Sequence, residues 1–223
     1  KKPADYKIAW TDGWPRYETS GQTQKLIGNF VNLLLEKGCR VQKALPDADL
    51  HERSLAVHKK LSLQLIFQDV PVFLKPLMVN SLKRGFLKGI DNVQWKLRDS
   101  FLDYSGLMGL KARITEEWEE FFEDFDLLIC PMGYGPAYQR CKTGTPISYN
   151  GSTLTYLNYV WPYNACFNAS GHPAMNIPLG INDEGLPVGV QLVGPYWSEP
   201  DMLHFAKMVS AFSAGFVPPV RYQ

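Results

Sequence analysis

The four histidines are the first candidates for catalysis or metal binding, and they are His51, His58, His172 and His204. Only His51 and His58 are near one another, seven residues apart on one predicted helix, whereas two helical metal ligands are usually spaced i,i+4. Ordinary surface or interface histidines are the favoured interpretation. We therefore predict no metal site.

A serine nucleophile needs a base and several backbone amides that face the developing oxyanion. Serine stands beside glycine at Ser20-Gly21, Ser105-Gly106, Gly151-Ser152 and Ser170-Gly171. None of these pairs lies in a Gly-x-Ser-x-Gly elbow or a glycine-dense loop, so turns and helix caps are the favoured interpretation. Because Gly-x-Gly-x-x-Gly and phosphate-loop patterns are also missing from the sequence, we predict no cofactor.

The cysteines could also act as nucleophiles, and they are Cys39, Cys130, Cys141 and Cys166. None forms a Cys-x-x-Cys pair, and apolar surroundings raise the pKa of a thiol and leave it inert. We interpret Cys130 and Cys166 as packing or pocket residues. Free thiols fit a reducing compartment, and we expect a cytoplasmic location.

Two strands and a helix are predicted near the start of the chain. Tyr6 to Trp10 is a short apolar run, Thr23 to Gly38 has helical spacing, and Cys39 to Leu45 alternates like a strand. This order favours parallel pairing with a right-handed crossover. Residues 49–125 are mainly helical in pattern, and we predict that they form an insertion whose last helix has a solvated acidic face around Glu119.

The next run, Asp126 to Pro131, predicts a strand in the middle of a parallel sheet. A long loop is expected after it, to about Gly151, and ligands of open α/β sheets bind beyond the carboxyl ends of strands. Cys130, Pro131 and Met132 are therefore candidates for a pocket.

Residues 153–170 are aromatic and rich in amides, are interrupted by Pro162 and end before Gly171. Two strands joined by a hairpin turn follow, at Ala174 to Leu179 and Val188 to Val193, and then a helix from about Pro200 to Phe212. The predicted fold class is α/β, as part of a mixed, largely parallel β-sheet covered by helices.

The bulk composition narrows the possible partners. The formal net charge is +1, from 23 Lys and Arg against 22 Asp and Glu, so we expect no nucleic-acid partner. No apolar run approaches the roughly 18 residues of a spanning helix, so we expect no membrane partner. We predict a single α/β domain over residues 1–223. The chain begins with Lys1 and enters a strand within a few residues, so we expect it to be a segment of a longer protein.

The segment from Tyr163 to Val193 resembles the C-terminal signature region of amidase-signature enzymes. The resemblance rests on Asn168 to Ala174, with the order Asn-x-x-Gly-x-Pro-Ala, and on Gly185 to Gln191, with the order Gly-Leu-Pro-x-Gly-x-Gln. It extends over nearly the whole chain and is weakest between about residues 49 and 110.

The matched residues also have structural interpretations as a scaffold, and they are Asn168, Gly171, Pro173, Gly185, Pro187, Gly189 and Gln191. We expect Gly171 and Pro173 to shape the entry into a strand and Gly189 to permit a close backbone approach. Gln191 either holds a neighbouring loop by hydrogen bonds or is a ladder residue.

The resemblance implies hydrolysis of a carboxylic amide by a serine-serine-lysine triad. Those three residues belong to the family's N-terminal half, around a lysine-bearing strand and a Gly-Ser-Ser-Gly loop, and neither segment occurs here. We therefore predict no catalytic residue in this chain, which would be inactive alone and would need the missing N-terminal half. The alternatives are an amidotransferase-type subunit that releases ammonia from glutamine, and a truncated, non-catalytic binding or structural module.

The substrate of such an enzyme would be a small amide. Family members often have Pro-Thr where this sequence has Pro131-Met132, and Met makes a pocket more apolar and adaptable. Trp161, Tyr163 and Phe167 hint at an aromatic or acyl-bearing amide, although they fit an interpretation as core residues equally well. Because sheet edges would be exposed without the missing half, a homodimer is also expected to be possible.

Overall fold

A computed structural model describes residues 1–85, 100–213 and 218. Within these ranges, a short 3-10 helix at Pro3–Asp5 is followed by seven strands and six helices. In chain order they are β1 (Lys7–Trp10), α1 (Gly21–Glu36), β2 (Arg40–Lys43), α2 (Ala48–Phe67), α3 (Lys75–Arg84), α4 (Phe101–Asp124), β3 (Leu127–Pro131), β4 (Ile147–Tyr149), β5 (Ser152–Leu154), α5 (Trp161–Ser170), β6 (Ala174–Ile181), β7 (Pro187–Val193) and α6 (Glu199–Ser210).

Five of the strands form one mixed sheet in the order β2-β1-β3-β7-β6. Strand β1 pairs in parallel with both β2 and β3, whereas β7 is antiparallel to both β3 and β6. Four of the five strands therefore run in the same direction, and the predicted mixed, largely parallel sheet is confirmed. The structure corrects the predicted long loop after β3, because β4 and β5 form a separate hairpin at its end.

Each face of the sheet supports its own core because alternate residues of a strand point to opposite faces. Leu128, Cys130 and Val193 pack on one face with helices α2, α4 and α5. Leu127, Ile129 and Leu192 pack on the other face with helices α1 and α6. All five residues of β3 are buried, as the apolar run in the sequence predicts for a central strand.

Helices α2 and α4 are joined by polar contacts as well as by packing. The Arg53 guanidinium makes a bidentate ion pair with the Glu117 carboxylate, with one N···O distance of 2.7 Å. The buried indole of Trp118 donates from Nε1 to Ser54 Oγ at 3.2 Å. Because α2 and α4 both contact α5, this pair of helices fixes the position of α5.

Helix α5 starts with a proline and ends with a glycine, which is a common arrangement of helix ends. Pro162 lies in the first turn, where its missing N–H breaks no helical hydrogen bond. Gly171 has φ +87° and its amide donates to Phe167 O at 2.7 Å. A Cβ at Gly171 would lie 2.7 Å from Tyr196 Oη, so both the dihedral and the space require glycine.

A helix that spans a bilayer needs about 20 consecutive, predominantly apolar residues. In the part of the chain that the structure describes, none is both long and apolar enough to cross a membrane. Nor does any group of three or more His, Cys, Asp or Glu side chains in those ranges have the arrangement of a metal site.

Gly171→Ala is expected to lower the free energy of unfolding by ~1–2 kcal/mol, because alanine is disfavoured at positive φ and its Cβ would displace Tyr196. Gly109→Ala is the control. A Cβ at Gly109, inside α4, would meet nothing within 4 Å, so this change is expected to raise stability by ~0.5–1 kcal/mol. Urea denaturation measures both values, and equal effects of the two substitutions would contradict the assignment of the Gly171 cap.

Candidate functional site

The loop that follows β3 is the centre of the candidate site. Among the described residues, no strand of the five-stranded sheet pairs with its backbone, and several of its polar groups bond to other segments. Asn164 Nδ2 donates to Met132 O at 3.0 Å, and the Tyr134 amide donates to Tyr159 O at 2.8 Å. Tyr134 O accepts from the Ser20 amide at 2.8 Å and from Thr23 Oγ1 at 3.3 Å. The start of α1 and the approach to α5 therefore hold this loop from two sides.

Two glycines allow this close packing. A Cβ at Gly135 would lie 2.8 Å from both a ring carbon of Tyr149 and the hydroxyl of Tyr159. A Cβ at Gly133 would lie 3.1 Å from Tyr159 O. The same Tyr159 hydroxyl donates to Pro136 O at 2.9 Å. Side chains at either position would push the loop away from the tyrosines that fix it.

Gln191 ties the end of β3 to α5. Its buried amide Nε2 donates to Cys130 Sγ at 3.6 Å and to Tyr163 O at 3.4 Å. Gln191 is paired in register with Cys130, so its side chain points to the same face of the sheet as α5. These contacts match the first of the two roles considered for this residue, the holding of a neighbouring segment.

The six pocket candidates divide into two groups by exposure. Cys130, Pro131, Tyr163 and Phe167 are buried, and the Phe167 ring lies 5.0 Å from the Trp118 ring in the core. Met132 and Trp161 are partly exposed. Asn164, one turn of helix from Trp161, is also partly exposed, and the sequence did not single it out. Surface for a ligand is therefore offered by Met132, Trp161 and Asn164.

The two buried thiols of this region are not nucleophiles at neutral pH. Burial raises the pKa of Cys130 to about 12 and that of Cys166 well above its ordinary value. Both are thus protonated, so neither supplies a thiolate nucleophile. Cys39 is also buried and Cys141 is exposed, and all four thiols are free.

Two histidines of α2 hold the first turn of α5. Trp161 Nε1 donates to His58 Nδ1 at 3.2 Å, and burial lowers the pKa of His58. His51 Nε2 lies 2.9 Å from Pro162 O, and its ring stacks on Trp14 at 4.1 Å. Because Pro162 O only accepts, Nε2 is the donor. Both histidines therefore position α5.

A serine, a histidine and a carboxylate lie close together at the other end of α5. Ser170 Oγ lies 2.9 Å from His172 Nδ1, and His172 Nε2 lies 2.8 Å from a carboxylate oxygen of Glu119. However, Ser170 is 0% exposed, so a substrate has no access to its hydroxyl. The same Glu119 oxygen accepts from the Tyr196 amide at 2.9 Å. These contacts therefore join α4 to the segment before α6, and they correct the expectation that Glu119 only faces solvent.

The scaffold residues lie around the β6–β7 hairpin. Gly185 has φ +78° in its turn, Pro187 begins β7, and Pro173 directly precedes β6. A Cβ at Gly189 would lie 2.3 Å from Asn176 Oδ1, so the glycine lets this side chain cover the strand. Asn168 is an exposed residue of α5.

A cavity of about 1150 Å³ lies elsewhere, among α2, α3 and α4. Apolar side chains such as Leu61, Phe67 and Leu107 line it together with Lys60 and Lys111. It contains none of the residues at the end of β3. This cavity therefore gives no support to the candidate site.

Comparison with known proteins identifies the family. The model of the family described as Amidase matches residues 1–203. This chain belongs to the amidase family. The match confirms the family to which the motifs at Asn168 to Ala174 and Gly185 to Gln191 point.

Several relatives of this amidase-family chain belong to glutamyl-tRNA(Gln) amidotransferases. The chain is 31% identical over 136 residues to one such amidotransferase subunit, from Wolinella succinogenes, and the alignment covers 58% of the chain and 28% of the relative. It is 33% identical over 130 residues to the equivalent protein of Marinobacter nauticus, with 57% and 24% covered. The alignments thus span about a quarter of the length of these relatives.

Solved structures of the family share the fold of this chain. A structure described as an amidase has a TM-score of 0.65 at 17% identity and covers 94% of this chain and 46% of its own. A glutamyl-tRNA(Gln) amidotransferase subunit from Thermotoga maritima has a TM-score of 0.61 at 17% identity, with 96% and 44% covered. A bacterial aryl acylamidase of the amidase-signature family has a TM-score of 0.58 at 19% identity, with 92% and 43% covered. The chain therefore spans less than half the length of these structures.

The environment of His51 predicts a pH dependence of the stability of this amidase-family chain. Burial lowers the pKa of His51 from its ordinary 6.5 to about 4, so the unfolded chain binds a proton that the folded chain does not. Stability is therefore expected to fall as the pH decreases from about 6.5 towards 4, with a contribution of up to ~1.4 kcal/mol per pH unit.

His51→Gln keeps an N–H donor for Pro162 O but cannot be protonated. The slope of the free energy of unfolding between pH 6.5 and 4, measured by urea denaturation, is expected to be smaller in this variant. His58 and His172, whose pKa values burial also lowers, are present in both proteins and cancel in the comparison. An unchanged slope would show that His51 is not the titrating group.

Proposed function

We propose that this chain forms one wall of the substrate pocket of an amidase that hydrolyses a carboxylic amide, that is, a C–N bond other than a peptide bond. The observation that carries the proposal is the loop after β3, which is held rigidly and leaves Met132, Asn164 and Trp161 partly exposed beside it. Ligands of such sheets bind beyond the carboxyl ends of the strands.

The chemistry itself is assigned to residues outside this chain. The buried serines considered above cannot attack a substrate, since Ser20 is 1% and Ser170 is 0% exposed. Lys75-Pro76 and Ser81 to Lys83 lie in α3, in a context unlike the lysine-bearing strand and Gly-Ser-Ser-Gly loop of the family. The serine-serine-lysine triad would come from the missing N-terminal half of the same fold.

The exposed groups of the wall favour an amide that carries an apolar or aromatic substituent. Met132 supplies a flexible thioether and Trp161 a large aromatic surface, while the amide of Asn164 offers an oxygen as acceptor. Because the Asn164 Nδ2 group already donates to Met132 O at 3.0 Å, its oxygen is the part left for a ligand.

A second candidate is an amidotransferase-type subunit that releases ammonia from glutamine. The relatives of Wolinella succinogenes and Marinobacter nauticus described above are amidotransferase subunits. Copurification with a stable partner enzyme and glutamine-dependent ammonia release would favour this function over hydrolysis of an apolar amide.

The remaining assignments complete the proposal. We place the protein in the cytoplasm, with a small-molecule amide as substrate and no cofactor. We treat residues 1–223 as a single domain in which residues 49–125 are a mainly helical insertion, and a homodimer is a possible assembly. The non-catalytic alternative predicts that even a longer form of the protein lacks amidase activity.

The chain by itself is expected to hydrolyse no amide and to remain unlabelled by a fluorophosphonate probe for activated serines. A longer protein that includes the serine- and glycine-rich segment is expected to do both. Labelling of a serine in the isolated chain, located by mass spectrometry, would contradict the assignment of catalysis to residues outside it.

In the longer enzyme, Met132→Thr is expected to lower kcat/KM for an amide with an apolar substituent by about 5- to 10-fold, since burial of an apolar side chain against Met contributes about 1–1.4 kcal/mol. Met108→Thr is the control, because Met108 is exposed on α4. Steady-state kinetics with apolar and polar amides measure the change. A loss of the same size for both amides would argue against a specificity role of Met132.

A further inference from the structure

Three polar side chains from distant segments form a hydrogen-bonded cluster beside the loop that follows β3. Tyr149 Oη donates to Gln22 Oε1 at 2.8 Å, and Asn182 Nδ2 donates to Gln22 Oε1 at 3.2 Å and to Tyr149 Oη at 3.1 Å. Gln22 lies in the first turn of α1, Tyr149 ends β4, and Asn182 lies in the β6–β7 turn. The cluster thus joins three parts of the fold that no strand pairing connects.

Asn182 uses its whole hydrogen-bonding capacity. Besides the two donated bonds, its Oδ1 accepts from the amides of Glu184 at 3.1 Å and Leu186 at 2.8 Å. The residue is buried, at 8% exposure. A buried amide whose donors and acceptor are all paired fixes the orientation of its partners. The β6–β7 turn therefore sets the position of the Tyr149 hydroxyl.

The ring of Tyr149 transfers this constraint to the loop. It packs so closely against Gly135 that a Cβ there would lie 2.8 Å away, and it meets the Tyr134 ring edge to face, with centroids 6.4 Å apart. Tyr134 and Gly135 follow Met132 and Gly133 directly in the chain. A shift of the Tyr149 ring would therefore displace the loop that carries Met132.

We infer that Gln22, Tyr149 and Asn182 are positioning residues that fix the loop after β3 and, through it, the substrate wall. The role of the loop as a substrate wall rests on the proposed function. The claim that the three side chains hold the loop does not depend on it. The three side chains act through Tyr134 and Gly135, and we assign them no contact with substrate.

The test is the exchange of the Tyr134 amide hydrogen in the isolated chain, measured by NMR against β3 amides as internal reference. Tyr149→Phe removes the hydroxyl and keeps the ring. It is expected to speed Tyr134 exchange about fivefold relative to the β3 amides, equivalent to ~1 kcal/mol. Ser148→Ala is the matched control, because Ser148 Oγ bonds within the same hairpin, to Thr153 Oγ1 at 2.8 Å, and to no other residue that the structure describes. An equal effect of both variants, or no effect of Tyr149→Phe, overturns the inference.

A second variant tests whether the three residues act together. Gln22→Met is close in size and removes the shared acceptor, so it is expected to speed Tyr134 exchange by a similar factor. In the double variant Gln22→Met/Tyr149→Phe the combined factor is expected to be well below the product of the two single factors. Factors that multiply would mean that the residues act independently, which contradicts the inference.

Kinetics of the longer enzyme separate this inference from the proposed function. Tyr149→Phe is expected to raise KM about fivefold with little change in kcat, whereas Ser148→Ala should change neither. Faster Tyr134 exchange with unchanged KM would overturn the link between the cluster and the substrate wall. If the longer enzyme hydrolyses no amide, the proposed function fails, and the exchange factors alone decide whether the cluster holds the loop.

Discussion

The need to pair the buried backbone of the loop after β3 governs the arrangement of the surrounding structure. A buried N–H or C=O group without a partner costs roughly 1–3 kcal/mol, and this loop has no adjacent strand to supply partners. Met132 O and Tyr134 O are satisfied by Asn164, Ser20 and Thr23, and the Tyr134 amide by Tyr159 O. The start of α1 and the approach to α5 must therefore occupy fixed positions for the loop to be buried at all.

The sheet makes these positions possible by dividing its two faces between different helices. Helix α1 lies on one face and α5 on the other, yet both bond to the loop at the carboxyl end of β3, through Ser20 at the start of α1 and Asn164 in α5. Gln191 reinforces this geometry, since it reaches from β7 to the backbone of α5 beside the last residues of β3. Packing of apolar residues thus sets the layers, while a few buried amides set the register between them.

The sequence predicted the elements whose signals are local. Apolar runs and helical spacing located β1, β3, the β6–β7 hairpin, α1 and α6 within a few residues, because each of them buries at least one stripe or face. The β4–β5 hairpin was missed since its three-residue strands have little periodicity, and Tyr149 is held by residues far along the chain. Pro162 looked like an interruption of a segment, but it lies in the first turn of α5. Part of the predicted helical region, residues 86–99, lies outside the described residues.

The candidate site was predicted only at its centre. Met132 was found because ligands of open α/β sheets bind beyond the carboxyl ends of strands, and Trp161 was found from the aromatic composition of its segment. Asn164 and Tyr159 gave no recognisable signal in the sequence. Their partners are backbone groups of other segments, and a backbone carbonyl or amide is the same in nearly every residue. Glu119 shows the same limit, because its partner amide belongs to Tyr196, 77 positions away. Long-range contacts to the backbone require the fold before they can be recognised.

The electrostatics of the proposed wall favour a role in recognition over one in proton transfer. Its titratable groups are held neutral: burial raises the pKa of Cys130 and of Tyr163, and it lowers the pKa of His51 and of the half-buried His58. The Cys130 thiol and the Tyr163 phenol are buried and protonated at neutral pH, so neither can act as a nucleophile or a general base. Under the proposed function, a neutral, rigid wall would leave the local field to a catalytic lysine and serines outside this chain. It would also exclude water from one side of the amide, where a charged side chain would retain it.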